Sequence, residues 1–452
     1  MRLYRWGISA ALGGLVFGYQ LGVISGALLS IRRELGLSAV AQGVLVSALP
    51  LAAMAGSLLA GRLADSLGRR PTLMIGAGVF LVGTGLAVLA PGYAVLVASR
   101  AIVGLAVGLV SSAVPLYLSE IAPPAVRGRL VTLQQLAITL GILVSSCVDL
   151  AFASAGSWRA MFAVGLLPAG ALLVAMLRAP ETPAWLDAHG RDDEARELLR
   201  LVAGEDEVER LLAELRRTHE QRTRQLGVRE LPRSDARPAL VIGVTLAAVQ
   251  QLCGINAIVA YAPTIMERTG LSAAGSIRSA VAIGALNVAV TVASVRLVDR
   301  LGRRPMLLVS LAGMLVSLTL LGFALEMAPG PSQGWLALAA ILAFVASFAA
   351  GIGPIAWLLI AEIFPAQARA VGAGVSTATL WLTNFAVGLA FLPVVAAIGA
   401  GPTFWIFAAV CALGLAFVAR YVPETKGRSF SEIDAELRQR WGQRAGAVLR
   451  AS

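Results

Sequence analysis

The sequence predicts an all-α polytopic membrane protein, with twelve transmembrane helices in two similar halves and a small cytoplasmic helical linker domain between them. Of the 452 residues, 58% are hydrophobic and 14% are charged, whereas soluble domains carry about 45–50% apolar and about 25% charged residues. The apolar residues form long runs of the roughly 20 residues that a spanning helix needs, and two motifs recur in both halves. These observations exclude an ordinary soluble enzyme.

The candidate spans are the apolar runs between polar or Pro/Gly breaks. The first half contributes runs 6–30, 41–61, 72–91, 94–118, 130–153 and 159–178, and the second contributes 239–265, 277–298, 305–327, 335–361, 371–398 and 403–422. The first run is too long for a signal-peptide core and has no evident cleavage context, so we expect it to be retained.

The stretch between the halves carries the only dense charge in the chain. From Asp192 to Thr218, acids and arginines alternate with leucines at helical spacing, which predicts amphipathic helices on the cytoplasmic face. The predicted domains are an N-terminal six-helix bundle at 1–179, a helical linker at 180–238, a C-terminal six-helix bundle at 239–422 and a cytoplasmic tail at 423–452.

Arginine placement predicts the orientation. Basic residues cluster in alternate loops, at Arg62, Arg69, Arg70, Arg127, Arg129, Arg300, Arg303 and Arg304, and in the central stretch, whereas loops 91–93, 328–334 and 399–402 carry none. We expect the protein in the cell's cytoplasmic membrane. The positive-inside rule then places both termini and the linker in the cytoplasm, despite exceptions such as Arg32 and Arg159. Because most of the charges lie outside the apolar runs, the formal net charge of +11 does not predict a nucleic-acid partner.

Two motifs repeat in register. GRLADSLGRRP at 61–71 corresponds to VRLVDRLGRRP at 295–305, and YLSEIAPPAVR at 117–127 corresponds to LIAEIFPAQAR at 359–369. Repeats of this kind place a substrate site at the interface of the halves near the bilayer midplane, and access alternates as one half rocks on the other.

The charged residues of these repeats predict a cytoplasmic gate network that closes the inner mouth. Its members are Asp65, Arg69, Arg70, Glu120, Arg127, Asp299, Arg303, Arg304, Glu362 and Arg369. Exposed ion pairs are worth about 0–1 kcal/mol each, which suits contacts that must open in every cycle. The alternative is that these residues only set orientation and turns.

The motifs together resemble the sugar porter family of the major facilitator superfamily, which includes facilitative hexose transporters and proton-coupled sugar and polyol symporters. The resemblance rests on the paired GRR loops, PETPAWL at 180–186, QQLCGIN at 250–256 and VPETKGRS at 422–429, and it covers about residues 6–430. It implies two pseudo-symmetric six-helix bundles, a cytoplasmic helical domain and a monosaccharide or polyol site lined mostly by the second half.

Carried over by motif, the sugar contacts are Gln135, Gln250, Gln251, Asn256, Asn287, Trp357 and Trp381. Amide side chains match the donor and acceptor character of sugar hydroxyls, without the desolvation cost of an ion, and indole faces pack against the apolar side of a pyranose. The alternative is that these amides join helices, as they often do in membrane bundles.

Span seven needs a break for its amides to converge. Gln250 and Asn256 are six residues apart, which is about 240° around a straight helix. We therefore interpret Gly254 as the point where this helix unwinds. A glycine that serves only close packing is the alternative.

The coupling position points to transport without protons. Gln20, in FGYQLGVISG at 17–26, stands where the proton-coupled relatives carry an acid, and Arg100 matches the arginine that pairs with that acid. Helical rise places the two at similar depths, and a glutamine cannot carry a proton. The alternative is proton symport through another acid such as Asp149 on span five, which could also be the counter-charge of Arg100.

Two further departures from the family concern its gates. Ala260 precedes Tyr261 where relatives commonly carry two aromatics over the sugar, and Ala349 replaces a glutamate of many facilitative relatives.

Other classes are less well supported. A multidrug efflux antiporter would need an acidic cavity residue and a proline-rich fifth span, and a nutrient sensor would need a longer cytoplasmic tail. No metal cluster, nucleophile–base pair or phosphate loop indicates an enzyme, a cofactor or a metal. We expect a monomer in the bilayer.

Overall fold

The chain folds into long helices in the part that the computed structural model describes. This part comprises residues 2–122, 124–203, 207–222, 229–269, 273–328, 330–365, 367–426, 428, 432–433 and 436–437. Twelve of its helical segments are long and apolar enough to cross a membrane. The predicted all-α polytopic fold with twelve spans is therefore confirmed.

The helices lie close to the predicted runs. The first half contains α1 (Arg2–Leu35), α2 (Ala39–Leu67), α3 (Arg69–Val88), α4 (Tyr93–Ile121), α5 (Pro124–Phe152), α6 (Trp158–Val164) and α7 (Leu166–Leu177). The linker contains α8 (Pro183–Ala188), α9 (Asp192–Ala203) and α10 (Val208–Arg222). The second half contains α11 (Arg237–Leu252), α12 (Ile255–Arg268), α13 (Ala273–Leu301), α14 (Arg303–Glu326), α15 (Pro331–Ala350), α16 (Ile352–Ile363), α17 (Arg369–Ile398) and α18 (Ala400–Tyr421).

Several helices extend beyond the apolar runs that predicted them. Helix α1 covers 2–35, whereas its run covers 6–30. Apolarity marks where lipid ends, but a helix continues until its terminal groups find other partners. Helix α2, for example, begins after Ser38, whose hydroxyl accepts a hydrogen bond from the Ala41 N–H at 3.3 Å.

Three spans consist of two helices each. Span six divides at Gly165 between α6 and α7, span seven divides between α11 and α12, and span ten divides at Gly351 between α15 and α16. The sequence predicted a break only in span seven.

Contacts divide the chain into two compact units that differ from the predicted halves. Unit 1 comprises Met1–Glu220, Asn256–Val288 and Asn384–Ala397, and unit 2 comprises Gln221–Ile255, Ala289–Thr383 and Ile398–Ser452. Unit 1 thus contains the first half and the linker up to Glu220, together with nearly all of α12, part of α13 and part of α17.

In unit 1, main-chain contacts join α1 to α5. Gly14, Gly18, Gly22 and Gly26 recur at every fourth position and face α5. A Cβ atom at Gly18 would lie 1.9 Å from the carbonyl oxygen of Ile138. Small residues permit such close packing between membrane helices, where van der Waals contact replaces the hydrophobic effect. We call this contact the α1–α5 seam.

A second seam joins α2 to α4 in the same unit. A Cβ atom at Gly104 would lie 2.2 Å from the Leu49 carbonyl oxygen, and one at Gly108 would lie 2.2 Å from the Ala53 carbonyl oxygen. The first half is therefore held by two pairs of helices whose backbones touch.

The linker helices pack around a small apolar core within unit 1, as their amphipathic pattern predicted. The core contains Leu186, Ala195, Leu198, Leu199, Val208 and Leu212. Trp6 at the start of α1 packs against it, and the Trp185 indole N–H donates to the Asp65 carbonyl oxygen at 3.0 Å. The linker is thereby attached both to the start of α1 and to the last turn of α2.

The α1–α5 seam makes a testable prediction about stability. We expect Gly18→Ala to destabilise the protein by about 1–3 kcal/mol, because the added methyl must push two backbones apart. Gly78→Ala on α3 is the matched control, since no atom lies within 4 Å of its added Cβ. Thermal unfolding of the purified proteins in detergent measures both changes. Equal melting temperatures for the two variants would contradict the close backbone contact at the α1–α5 seam.

Candidate functional site

Two neighbouring amides end α11 in unit 2. Gln250 and Gln251 are 2% and 6% exposed. Gln250 Nε2 donates to the carbonyl oxygens of Ile352 at 3.1 Å and Gly353 at 2.8 Å, and Gln251 Nε2 donates to Gln250 Oε1 at 3.4 Å. The amide pair of span seven is therefore attached to the first turn of α16.

Gly254 lies in the break between α11 and α12. Its φ of +85° falls in the left-handed region, which glycine adopts without steric cost. A Cβ atom at this position would lie 2.5 Å from the ring of Phe407. Both the conformation and the packing therefore require glycine here.

The break in span ten leaves helix groups without their usual partners. The Gly351 N–H donates to the Phe348 carbonyl at 3.2 Å, three residues back rather than four. The Ser310 hydroxyl, from α14, donates to the Ser347 carbonyl at 2.7 Å and accepts from the Ile352 N–H at 3.1 Å. One serine thus satisfies two groups that the break exposes.

A second serine acts on the same break. Pro354 has no N–H, so the Ala350 carbonyl lacks the donor that a helix would supply. The Ser294 hydroxyl, from α13, donates to this carbonyl at 3.0 Å. Sequence analysis missed Ser294 and Ser310, although the GIGP sequence at 351–354 could have indicated a break that needs such donors.

The two predicted tryptophans of unit 2 have different surroundings. Trp381 on α17 is fully buried, with 1% of its surface exposed, whereas Trp357 on α16 is 38% exposed. Trp357 follows Gly353 by four residues, about one helical turn. It therefore lies on the short helix to which Gln250 is bonded.

The other predicted sugar contacts belong to unit 1. Gln135 on α5, Asn256 on α12 and Asn287 on α13 are all half-buried. Helices α5 and α13 meet where a Cβ at Gly284 would lie 3.2 Å from Leu143 Cα. Since α5 and α13 run in opposite directions in a polytopic chain, Gln135 and Asn287 lie on the same side of this contact.

Residues of the second half contact the first half at the helix ends opposite the GRR loops, still within unit 1. The Tyr261 hydroxyl donates to the Gly388 carbonyl at 3.2 Å, and its ring stacks on Phe391 with centroids 5.1 Å apart. A Cβ at Gly43 on α2 would lie 2.6 Å from the Leu389 carbonyl oxygen. Phe391 thus supplies a second aromatic beside Tyr261, where Ala260 lacks one.

An ion cluster joins α1 to α12 at the same end. Glu267 pairs with Arg32 and, at 2.7 Å, with Arg33. Its carboxylate is 21% exposed. Sequence analysis treated Arg32 as an exception to the orientation rule and did not identify Glu267, because the pairing joins residues more than two hundred positions apart.

The coupling position contains an arginine and a glutamine in contact. One Arg100 terminal nitrogen donates to the Gln20 main-chain oxygen at 3.2 Å, and Gln20 Nε2 donates to the Thr84 hydroxyl at 3.0 Å. Both residues are at most 2% exposed. No carboxylate of the described residues forms an ion pair with Arg100.

Asp149 lies elsewhere, at the C-terminal end of the α1–α5 seam, beside Gly26. One of its oxygens accepts from the Gly26 N–H at 3.1 Å, and the other has no hydrogen-bond partner in the described part of the structure. Its side chain is 0% exposed. The structure does not pair Asp149 with Arg100, so that alternative for the counter-charge does not hold here.

The GRR loop of the first half is the centre of a charged network. Arg69 donates to Glu120 at 2.9 Å and lies 3.3 Å from Asp65. Arg70 donates to the carbonyls that end α7. Glu181, from the PET sequence at 180–182, accepts from the Arg69 and Arg70 main-chain N–H groups, each at 3.1 Å. A carboxylate therefore caps the N-terminus of α3.

The second half repeats this network. Arg303 donates to Glu362 at 3.2 Å, and Arg304 donates to a carbonyl of α18. Glu424, from the PET sequence at 423–425, accepts from the Arg303 and Arg304 N–H groups at 2.9 and 3.1 Å. Thr425 donates to Glu362 at 2.8 Å, as Thr182 donates to Glu120 at 2.7 Å in the first half. Those predicted gate residues whose side chains the structure describes thus form one cluster within each repeat.

Sequence analysis missed both capping glutamates, Glu181 and Glu424. The repeated PET sequence after each sixth span was the available signal. The side chains of three other predicted gate residues, Arg127, Asp299 and Arg369, lie outside the described part of the structure.

The two caps differ electrostatically. Burial raises the pKa of the Glu181 carboxyl above its ordinary value, although N–H donors from Thr182, Arg70 and Arg69 oppose the change. Burial also acts to raise the pKa of Glu424, but donors from Lys426, Arg303, Arg304 and Thr425 outweigh it and leave that pKa lowered.

Opposite pKa shifts predict opposite pH dependences for the two caps. A lowered pKa stabilises the folded state at neutral pH, and this contribution disappears as the pH falls through the folded value. A carboxyl whose pKa is raised in the folded state stabilises that state in acid, and this stabilisation is lost as the pH rises. Between about pH 7 and about pH 4, the melting deficit of Glu424→Gln relative to wild type should therefore shrink, whereas that of Glu181→Gln should grow. Parallel deficits in the two variants would contradict the assignment.

Known proteins share both the sequence and the fold. The family described as "Sugar (and other) transporter" matches residues 6–437. The glucose transporter GlcP of Staphylococcus epidermidis is 36% identical over 97% of this chain and 98% of its own length, and the galactose-proton symporter of Escherichia coli strain K12 is 38% identical over 95% and 93%.

A solved structure agrees. The xylose transporter XylE from E. coli, in a partially occluded inward-open conformation, superposes with a TM-score of 0.83 at 30% identity, covering 95% of this chain and 99% of that one. The chain therefore belongs to the sugar porter family of the major facilitator superfamily, and it is a multi-pass membrane transporter of sugars rather than an enzyme.

Proposed function

We propose that this protein carries a neutral monosaccharide or polyol down its concentration gradient, by alternating access and without proton coupling. The GRR loops, both termini and the linker face the cytoplasm in this proposal, and the protein works as a monomer in the cell membrane. The observation that carries the proposal is the contact between Arg100 and Gln20, in which no carboxylate of the described residues takes part.

The substrate class follows from the chemistry of the candidate contacts. Gln250, Gln251 and Trp381 are uncharged and more than nine-tenths buried in unit 2. Buried amides bind hydroxyls by donating and accepting, and each such bond nets about 0.5–1.5 kcal/mol. Several bonds of this size give an affinity that still permits release. Relatives named for glucose, galactose and xylose support a monosaccharide.

The absence of coupling follows from the residue at position 20. Proton symport needs a group that binds and releases a proton during the cycle, and the Gln20 amide does neither. Arg100 is instead satisfied in part by the main-chain oxygen of Gln20. A sugar gradient then remains as the driving force.

The contacts of unit 1 support a state closed at the end opposite the GRR loops. The Glu267 ion cluster and the contact of Gly43 with Leu389 join second-half segments to the first half there, and Tyr261 holds α12 against α17 beside them. Under alternating access these contacts must break when that end opens. We propose that they form the outer gate, and that the two GRR networks support the inner one.

Transport measurements test the absence of coupling. In proteoliposomes that contain the purified protein, labelled sugar should enter until inside and outside concentrations are equal, and an imposed inward proton gradient should not drive the inside concentration higher. Accumulation above the external level would contradict the proposal.

The variant Gln20→Glu is the informative comparison for this experiment. It places a carboxylate on the residue whose main-chain oxygen binds Arg100, with little change in size, and we expect it to make uptake depend on external pH. Equilibrium exchange of labelled for unlabelled sugar should continue in both proteins and serves as the control for folding.

A second candidate function, proton-coupled sugar symport, is favoured by Asp149. Its carboxyl is fully buried, with one oxygen unpartnered in the described part of the structure. A charged carboxylate in such a place is costly without a cation beside it. Asp149 would therefore bind a proton while the seam is closed and release it when α1 and α5 separate. The galactose-proton symporter among the relatives supports this alternative.

The variant Asp149→Asn separates the two candidates. It preserves an acceptor for the Gly26 N–H and removes the titratable group. Without coupling, net uptake and exchange should both match wild type across pH. Symport through Asp149 would instead appear as loss of proton-driven accumulation with exchange retained.

A further inference from the structure

The hydrogen bonds of Gln250 differ in kind from those of the two serines at the same break. Ser294 and Ser310 satisfy main-chain groups of span ten that have no helix partner. The carbonyls of Ile352 and Gly353, by contrast, lie in the first turn of α16, where the helix pattern assigns them the N–H groups four residues ahead. Each carbonyl has two lone pairs, so Gln250 adds a second bond to groups that are already satisfied.

This difference decides which contacts the protein can give up. A main-chain group left without a partner inside the membrane is costly, so the serine bonds must persist through the transport cycle. The Gln250 bonds can break without leaving any main-chain group unsatisfied. Of the three side chains bonded at this break, only Gln250 is therefore free to exchange partners.

The donor capacity of Gln250 is fully used in this structure. Its amide carries two hydrogens, and it makes two bonds, to Ile352 and to Gly353. A sugar hydroxyl that accepts from Gln250 must therefore displace a carbonyl of α16. Sugar binding and the α11–α16 bond then compete for the same amide.

Helix α16 links this competition to a second predicted sugar contact. Trp357 lies on α16, one turn beyond Gly353, and keeps 38% of its surface exposed. Loss of the Gln250 bonds removes the hydrogen bonds from α11 to the first turn of α16, where Ser310 still accepts from the Ile352 N–H. The helix that carries the indole then gains freedom when the amide changes partner.

We infer that Gln250 is a positioning residue that couples sugar arrival to the release of α16. The sugar takes the amide hydrogens, the bonds from α11 to α16 break, and Ser294 and Ser310 hold the break in span ten while α16 moves. The exchange replaces hydrogen bonds by bonds of the same kind, so a weakly bound sugar is sufficient to drive it. The inference rests on the proposed function, since it requires a hydroxyl-bearing ligand at Gln250.

Hydrogen–deuterium exchange of α16 tests the inference directly. The full-length protein in nanodiscs is measured with and without whichever of D-glucose, D-galactose or D-xylose raises its melting temperature most, with L-glucose as the control. We expect the bound sugar to raise exchange across 352–363 by about fivefold, the effect of losing two weak bonds. Unchanged or slower exchange with the sugar demonstrably bound would overturn the inference.

Two variants separate the roles at the break. Gln250→Met has similar length and no donors, so α16 should exchange at the elevated rate even without sugar. Ser294→Ala removes a bond that sugar does not compete for, so a sugar-dependent increase should remain on top of any change in its basal rate. If α16 exchanged at the same rate in sugar-free Gln250→Met and in sugar-free wild type, the claim that Gln250 restrains α16 would be refuted.

The outcomes distinguish this inference from the proposed function. If no sugar raises the melting temperature, the proposed function fails, and the basal rate of Gln250→Met still decides whether the amide restrains α16. If Gln250→Met does not fold, the wild-type response to bound sugar decides alone.

Discussion

Every main-chain N–H and C=O group inside a lipid bilayer must find its partner within the protein, and this requirement organises the molecule. Unbroken helices meet it without help from side chains. Where span ten breaks at Gly351, serines from two other helices complete the bonding, and where α3 and α14 begin, carboxylates from distant loops accept the free N–H groups. The candidate functional residues therefore lie where main-chain groups have no hydrogen-bond partner within their own helix.

The two halves share their charged networks but divide other tasks. Arg69 with Glu120 and Arg303 with Glu362 are counterparts at 2.9 and 3.2 Å. The glycine seams bring backbones together in the first half, whereas the broken span ten and the buried amide pair of span seven belong to the second. Backbone contact along two helix pairs suits the first half to move as one body, although its span six also divides, at Gly165. Two divided spans, seven and ten, suit the second half to change shape locally.

The sequence was sufficient to predict the fold, because the residues of a spanning helix must be apolar whatever their partners are. Twelve apolar runs and an amphipathic linker can therefore be recognised from composition and periodicity. It also indicated a break at Gly254, since Gln250 and Asn256 could not otherwise share a face. Ser294 and Ser310 could not be found this way, because a serine inside a helix usually bonds to its own helix. Glu267 and the carbonyl partners of Gln250 were equally hidden, since they depend on helices that meet only after folding.

The seams between α1 and α5 and between α2 and α4 also limit how such a protein can diversify. Where a Cβ at Gly18 or Gly104 would collide with a carbonyl oxygen, almost any replacement is harmful, so these surfaces should tolerate few substitutions. Positions such as Trp357, with open surface around them, accept new side chains more readily. Replacements that adapt the protein to a different nutrient are therefore expected at such open positions rather than within the seams.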